Sequence, residues 1–179
     1  MPADTLIDYI TGRAVADVGA EANRQAAARF LVEKKGYLKT EIAVNLSIAF
    51  EVGGHTYRSA VDLVVSVPAP DRSQAALQIM AVKCAAGSLG SREREIVSAA
   101  RLVNPSYQIP LAVATDGATA IVLDTLTGKK KGEGLDAIPS RQSVVEHLDR
   151  LIFQPLAADR RDRERLIFRS YDSLNVNRV

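Results

Sequence analysis

The chain has 179 residues, 47% of them apolar and 5% aromatic, with no Trp, which suits one domain with an aliphatic, Ala-rich core and argues against a base-stacking platform. Lys and Arg total 23 against 21 Asp and Glu, a formal charge of +2, so no strong global attraction to nucleic acid is expected. Only local clusters, Lys129-Lys130-Lys131 and the run Arg160, Arg161, Arg163 and Arg165, could meet phosphate; the plain alternative for both is a solvated surface.

Asp4 to Ile10 reads as a short helix ended by Gly12. A longer helix is predicted from about Val18 to Lys35, with Ala22, Ala26, Ala27, Phe30 and Leu31 as its apolar stripe and Gly36 as its stop. Ile42, Val44, Leu46, Ile48 and Phe50 then alternate with more polar or smaller residues, a period of two that marks a strand. Gly53-Gly54 predicts a tight turn into a second strand, His55 to Val67, with Tyr57, Ser59, Val61, Leu63, Val65 and Val67 on one side. Pro68-Ala-Pro-Asp-Arg-Ser is a loop, and Ala75 to Lys83 a third strand. After the break at Gly87 to Gly90, Ser91 is the candidate N-cap of a helix that runs to about Val103, with Glu93 and Glu95 in its first turn. Ile109 to Ala114 and Ala120 to Asp124 are two more strands, and Gly128 to Gly134 a polar loop. Ser140 to Leu151 and Leu156 to Leu174 are predicted C-terminal helices, the second packing through Leu166, Ile167, Phe168 and Tyr171 against the body or a partner subunit.

Three consecutive strands in a meander cannot belong to an all-parallel sheet, while the helix that follows can cross to a parallel neighbour. The expectation is a single α/β domain with a mixed sheet flanked by helices, its core at about 18–141 and helices at about 140–174.

Asp62 stands inside an apolar strand, Ala-Val-Asp-Leu-Val-Val, and Lys83 ends the next, Gln-Ile-Met-Ala-Val-Lys. By spacing alone they make either a strand-end ion pair or two walls of one cleft. An acid in a hairpin strand, an acid-x-Lys ending the next strand and then a helix is the PD-(D/E)XK nuclease arrangement. There the two acids clasp a divalent metal, which lowers the pKa of a bound water and stabilises charge on the phosphate. Residues two apart on a strand share a face, so the second acid and the lysine reach the same cleft.

On these residues the chain resembles the N-terminal domain of type I restriction enzyme R subunits, over roughly Glu21 to Arg141. Glu21 and Arg24 match the acid and Arg of the first long helix, Gly36-Tyr37 the break after it, Asp62 the metal acid, Lys83 the motif lysine, and Thr115-Asp116-Gly117 a Thr-Asn-Gly between the last core strands. The resemblance implies a restriction-endonuclease-like fold with a C-terminal helical extension. It implies Asp62, Lys83 and Glu21 as catalytic residues, Asp62, Glu21 and Glu95 as ligands of Mg2+ or Mn2+, and Lys83, Arg24, Lys129 and Lys130 as nucleic-acid contacts. A full R subunit also carries a helicase motor, so a role in restriction would need partner chains; the C-terminal helices are where a partner subunit or a second copy would dock.

The chain departs from the pattern where it matters. The acid of acid-x-Lys is Ala81, and the following helix, Arg92 to Leu102, lacks the family's Gln and Tyr. The leading expectation is a domain that binds DNA weakly, with reduced or lost cleavage. One alternative is an active metal-dependent DNA endonuclease whose second acid has migrated to Glu93, Glu95 or Glu21. Another is an interaction module on a nuclease scaffold. On the first reading, Ala81→Glu would restore the missing ligand.

The remaining candidates are weaker. His55 and His147 form no Cys/His cluster, so zinc is not expected. Cys84 is the single cysteine, which excludes an intrachain disulfide; its neighbour Lys83 would lower its pKa if exposed, and a buried inert thiol is the expectation. Gly87 to Gly90 opens a helix but lacks the Gly-Lys-Ser/Thr of a Walker loop. No apolar run approaches the ~20 residues of a membrane span, and the opening MPADTLIDYITG lacks the basic and apolar stretches of a signal peptide, so a cytoplasmic protein is expected.

Overall fold

The computed structural model of the chain describes residues 4–71 and 75–173; part of the loop after Pro68 and the expected helix end at Leu174 lie outside them. The first element corrects the sequence expectation. Instead of a helix, β1 (Thr5–Ile7) and β2 (Ala14–Ala16) pair antiparallel as a small separate sheet. The cause is Asp8, whose Oδ1 accepts the N–H groups of Ile10 and Thr11 at 3.0 and 2.6 Å. A side chain that offers the backbone a local turn competes with helix formation.

Helix α1 (Glu21–Glu33) forms as predicted but shows a different face. Its buried residues are Arg24, Gln25, Ala27, Ala28 and Leu31, while Ala22 and Ala26 of the expected stripe are exposed. The helix is turned because its N-terminal half packs on the Asp8 turn, where Arg24 and Gln25 find polar partners.

The main sheet has six strands in the order β3 (Ile42–Val52), β4 (His55–Val67), β5 (Leu77–Cys84), β6 (Leu111–Thr115), β7 (Ala120–Asp124) and β8 (Lys130–Glu133). Gly53 and Gly54, with φ of 59° and 75°, close the β3–β4 hairpin, as a two-residue turn with both central residues left-handed requires. Only β5 and β6 pair in parallel. Helix α2 (Glu93–Leu102) makes that crossover, as the element order implies. Its start differs from expectation: Ser91 lies in a 3-10 turn and its hydroxyl donates to Ser88 O rather than capping the helix. The lysine-rich segment expected as a loop is the edge strand β8, held by backbone pairing to β7 while its side chains stay outside.

Helix α3 (Arg141–Glu146), capped by Ser140, is shorter than predicted and gives way to a 3-10 turn at Leu148–Arg150. Helix α4 (Ala158–Tyr171) docks on α2 and β3 through Glu164 and Phe168. Of the apolar residues expected to pack it, Phe168 is buried, but Leu166 and Tyr171 are exposed at 55% and 40%.

The sheet is covered on both faces, as a restriction-endonuclease-like α/β architecture requires. Ala27 and Leu31 of α1 pack with Leu63, Val65, Met80, Val82 and Val113. Ile96, Ala99 and Ala100 of α2 and Phe168 of α4 pack with Val64, Ala81, Ala112 and Phe50. Simple alternation along β4 predicts that Val61 shares a layer with Leu63, but Val61 belongs to the α2 layer and Leu63 to the α1 layer. In β3, likewise, Ile42 lies with α1, and Ile48, Phe50 and Val52 with α2. The change falls at Asn45, the one described non-glycine residue with positive φ (51°), between the pairs Val44↔Leu63 and Leu46↔Val61. A left-handed residue within a strand breaks the pleat, and here the break lies beside Asp62.

Candidate functional site

The pairing of Leu63 with Val82 brings Asp62 alongside Lys83 at the end of β5. Lys83 Nζ lies 3.3 Å from Asp62 Oδ2 and 3.4 Å from Oδ1. The Cys84 N–H donates to Asp62 Oδ2 at 2.7 Å. From the first turn of α2, Glu95 brings Oε1 to 3.5 Å from the same Nζ. Glu95 is 2% exposed and Lys83 7%. Charged groups this deep persist only when paired, and each here is.

Ala81 shares the face of Lys83 but not its surroundings. It is fully buried in the aliphatic layer with Ile96, Ala99 and Ala100, and it does not line the cavity in front of Lys83. The acid missing from β5 therefore has a counterpart one element later, where Glu95 projects from α2 toward the lysine.

Burial is the strongest influence on Asp62 and pushes its carboxyl pKa up, against the pull of Lys83 and the Cys84 N–H. Burial disfavours the Lys83 ammonium as well, but Asp62 and Glu95 together outweigh it and its pKa rises. The two directions agree physically: two acids around one lysine favour the cation and penalise the second negative charge. The Cys84 thiol is fully buried and pushed well up by that burial, which leaves it inert, as expected.

A cavity of about 570 Å³ opens in front of this centre and is also lined by Glu21, Arg24, Asn45 and Arg92. Across it sits a second network. Arg24 Nη2 reaches Asp8 at 2.6 Å and Glu21 at 2.5 Å, and Gln25 Nε2 donates to both acids, at 3.2 and 2.7 Å. Burial pushes the Asp8 carboxyl up, but the Thr11 N–H, Gln25 and Arg24 more than offset it and hold its pKa at about 2. Arg24 Nη1 is buried with no partner among the described residues. Asn23 Nδ2 donates to Ala85 O at 2.6 Å and ties α1 to the end of β5.

The sequence-predicted residues thus divide. Asp62, Lys83 and Glu95 meet. Glu21 and Arg24 line the same cavity but are engaged with each other and with Asp8. Lys129 is exposed in the β7–β8 turn and Lys130 pairs with Glu133 on β8; neither lines the cavity. Glu93 is half-buried and outside the cavity lining. Asp116 accepts the N–H groups of Ala118 and Thr119, and a Cβ on Gly117 would lie 2.8 Å from that of Ala26, so Thr115-Asp116-Gly117 is a tight turn that lets α1 approach.

Sequence reasoning missed Arg92, Ser173 and Asn45. Arg92 was legible as the residue one turn before Glu95, and its Nη1 lies 3.3 Å from Glu95 Oε2. Ser173 gave no signal, although its N–H and Oγ–H donate to Glu95 Oε1 at 3.2 and 2.9 Å from 78 residues away. Among the described residues no cluster of three or more His, Cys, Asp or Glu is arranged to hold a metal, and no helix is long and apolar enough to cross a membrane.

Compared with known proteins, residues 19–139 match the family described as type I restriction enzyme R protein N terminus. No curated protein and no solved structure matches the chain. The matched stretch covers more than half of the chain and contains α1, the six-stranded sheet and α2, with Asp62, Lys83 and Glu95 among them. The chain therefore belongs to the family of type I restriction enzyme R protein N-terminal domains.

Proposed function

We propose that the chain is a DNA-associated nuclease-type domain whose phosphodiester-cleaving centre is Asp62, Lys83 and Glu95, the second acid being supplied by α2. The observation that carries this reading is the approach of Glu95 Oε1 to Lys83 Nζ at 3.5 Å, with Asp62 on the other side of the same ammonium. Two carboxylates offer the hard oxygen donors that Mg2+ and Mn2+ take, so the residues fit a divalent ion held through Asp62 and Glu95. Such an ion would polarise the phosphate and lower the pKa of a water. Lys83, kept protonated by its acids, stands at the cavity wall as a point charge for a phosphate oxygen. Arg24 and Arg92 add cations to the cavity, and Lys129 and Lys130 a separate basic surface. With a net charge of only +2, binding would be weak and steeply salt-dependent.

A second reading, reduced or lost cleavage, draws support from the filled hydrogen-bonding shell of Glu95, which already meets Lys83, Arg92 and Ser173. Restriction would in either case require partner subunits, and α4 offers them a surface outside the family-matched region. The test is nicking of a supercoiled plasmid in Mg2+ and in Mn2+. On the first reading the chain nicks DNA, and Asp62→Asn, Lys83→Ala and Glu95→Gln each lower the rate by about 100-fold or more. Full activity in Glu95→Gln would show that α2 supplies no catalytic acid. Salt-sensitive DNA binding with no nicking would establish the second reading.

A further inference from the structure

Ser173 lies 34 residues beyond the last family-matched position, 139, yet it touches the centre. Glu95 Oε1 accepts its N–H and its hydroxyl at 3.2 and 2.9 Å and faces Lys83 Nζ at 3.5 Å, while Oε2 faces Arg92 at 3.3 Å. A carboxylate oxygen has about two lone pairs to offer. With two donors from Ser173 and the lysine beside them, Oε1 has no acceptor site left for a cation. Ser173 itself forms part of the cavity wall.

The attachment of this segment has two parts. The body of α4 is fixed to α2 and the hairpin: Glu164 pairs with Arg101 at 2.7 Å, and Phe168 is 1% exposed against Phe50 and Tyr57. The helix ends at Tyr171. Past it, Asp172 Oδ2 accepts the Tyr57 hydroxyl at 2.5 Å, and Ser173 reaches Glu95. The contacts named here between the tail and these side chains use a phenol, a main-chain N–H and an aliphatic hydroxyl, all neutral donors. A divalent cation competes well against neutral donors for a carboxylate, so the tail can be displaced without unseating α4.

We propose that Asp172 and Ser173 form an intramolecular gate: they occupy the carboxylate oxygen of Glu95 that a divalent cation needs, and their departure opens the centre. The gate rests on the assignment of Asp62, Lys83 and Glu95 as a metal-dependent centre, and it explains how a complete set of side chains can be inactive in the closed state.

Calorimetric titration of the full chain with MnCl2 tests it, with thermal melts to show that each variant is folded. Ser173→Pro removes both donors and tightens Mn2+ binding about tenfold, the equivalent of one or two hydrogen bonds. Ser173→Ala, which keeps the N–H, and Tyr57→Phe, which frees Asp172, shift affinity in the same direction by less; these two decide the matter if the proline variant unfolds α4. Asp62→Asn abolishes binding in every background. Unchanged or weaker Mn2+ affinity in the folded Ser173 and Tyr57 variants, with binding still dependent on Asp62, would overturn the gate and leave the metal centre standing. No Mn2+ binding in any variant would overturn the metal centre and the gate with it.

Discussion

Two residues carry more of the site than their chemistry alone suggests. Asn45 adopts φ of 51° within β3, opposite the stretch that holds Asp62. Asn tolerates this conformation, and a β-branched residue does not. Asn45→Gly is expected to leave stability nearly unchanged, while Asn45→Val costs about 1–2 kcal/mol in urea unfolding. A Val variant as stable as the parent would show that the strand can regularise at no cost. Asp8 makes a pH prediction. Its folded pKa of about 2 lies below the ordinary 3.8, so its contribution to stability is complete above about pH 4 and is lost as pH falls toward 2. Asp8→Asn should lower the melting temperature at neutral pH and flatten its decline between about pH 4 and 2; an unchanged decline would mean that other groups dominate acid unfolding. Ala81 reads differently from its sequence pattern. Its methyl is sealed under α2, so Ala81→Glu buries a carboxylate among Ile96, Ala99 and Ala100. That substitution is expected to destabilise the fold by several kcal/mol, on the order of an unpaired buried charge, and to create no cleavage. A stable Ala81→Glu protein with gained metal binding would contradict this.

At the scale of elements, the site depends on how closely α1 and α4 approach the sheet. The β6–β7 turn brings Gly117, with φ of 86°, under α1, where an added Cβ would meet Ala26 Cβ at 2.8 Å and Asn23 O at 3.2 Å. Gly117→Ala should therefore cost about 2–4 kcal/mol, combining overpacking with a left-handed alanine, and calorimetry or chemical denaturation can measure it. Helix α4 is seated mainly by Phe168, which fills the space between Phe50 and Tyr57 with ring centroids 6.1 and 6.2 Å away. Phe168→Ala leaves a cavity and is expected to cost about 3–5 kcal/mol. Because that helix also carries Glu164 to Arg101 and Ser98, it belongs to the packing of the α2 layer. Its arginine-rich outer face contributes little: Arg160 and Arg163 are exposed, and Arg165 meets only Asp162 among the ion pairs.

At the scale of the whole molecule, the order of elements was legible because it rests on local periodicity. The β3–β4 hairpin, the length of β4, the parallel crossover through α2 and the limits of β7 all follow from alternation, turn glycines and helix-compatible spacing in the sequence. Where the sequence reading failed, a distant or side-chain contact overrode the local pattern. The N-terminal segment is a hairpin because Asp8 turns it. Helix α1 buries Arg24 and Gln25 because Asp8 receives them. The lysine-rich loop is a strand because β7 offered an edge. Asp62 and Lys83 could be found as a pair, since an acid inside an apolar strand and a lysine at the end of the next stand out in any register that pairs those strands. Their family resemblance was equally visible, for it rests on the same few residues. Which acid completes them could not be read. Glu93, Glu95 and Glu21 are equivalent by composition and by position at helix starts, and only the tertiary structure, by fixing the rotation of α2 over β5, turns Glu95 inward to the lysine. The same holds for Ser173, whose two bonds to Glu95 join segments 78 residues apart: local sequence determines which elements form, but contacts across such distances are set by packing, after the elements have chosen their faces.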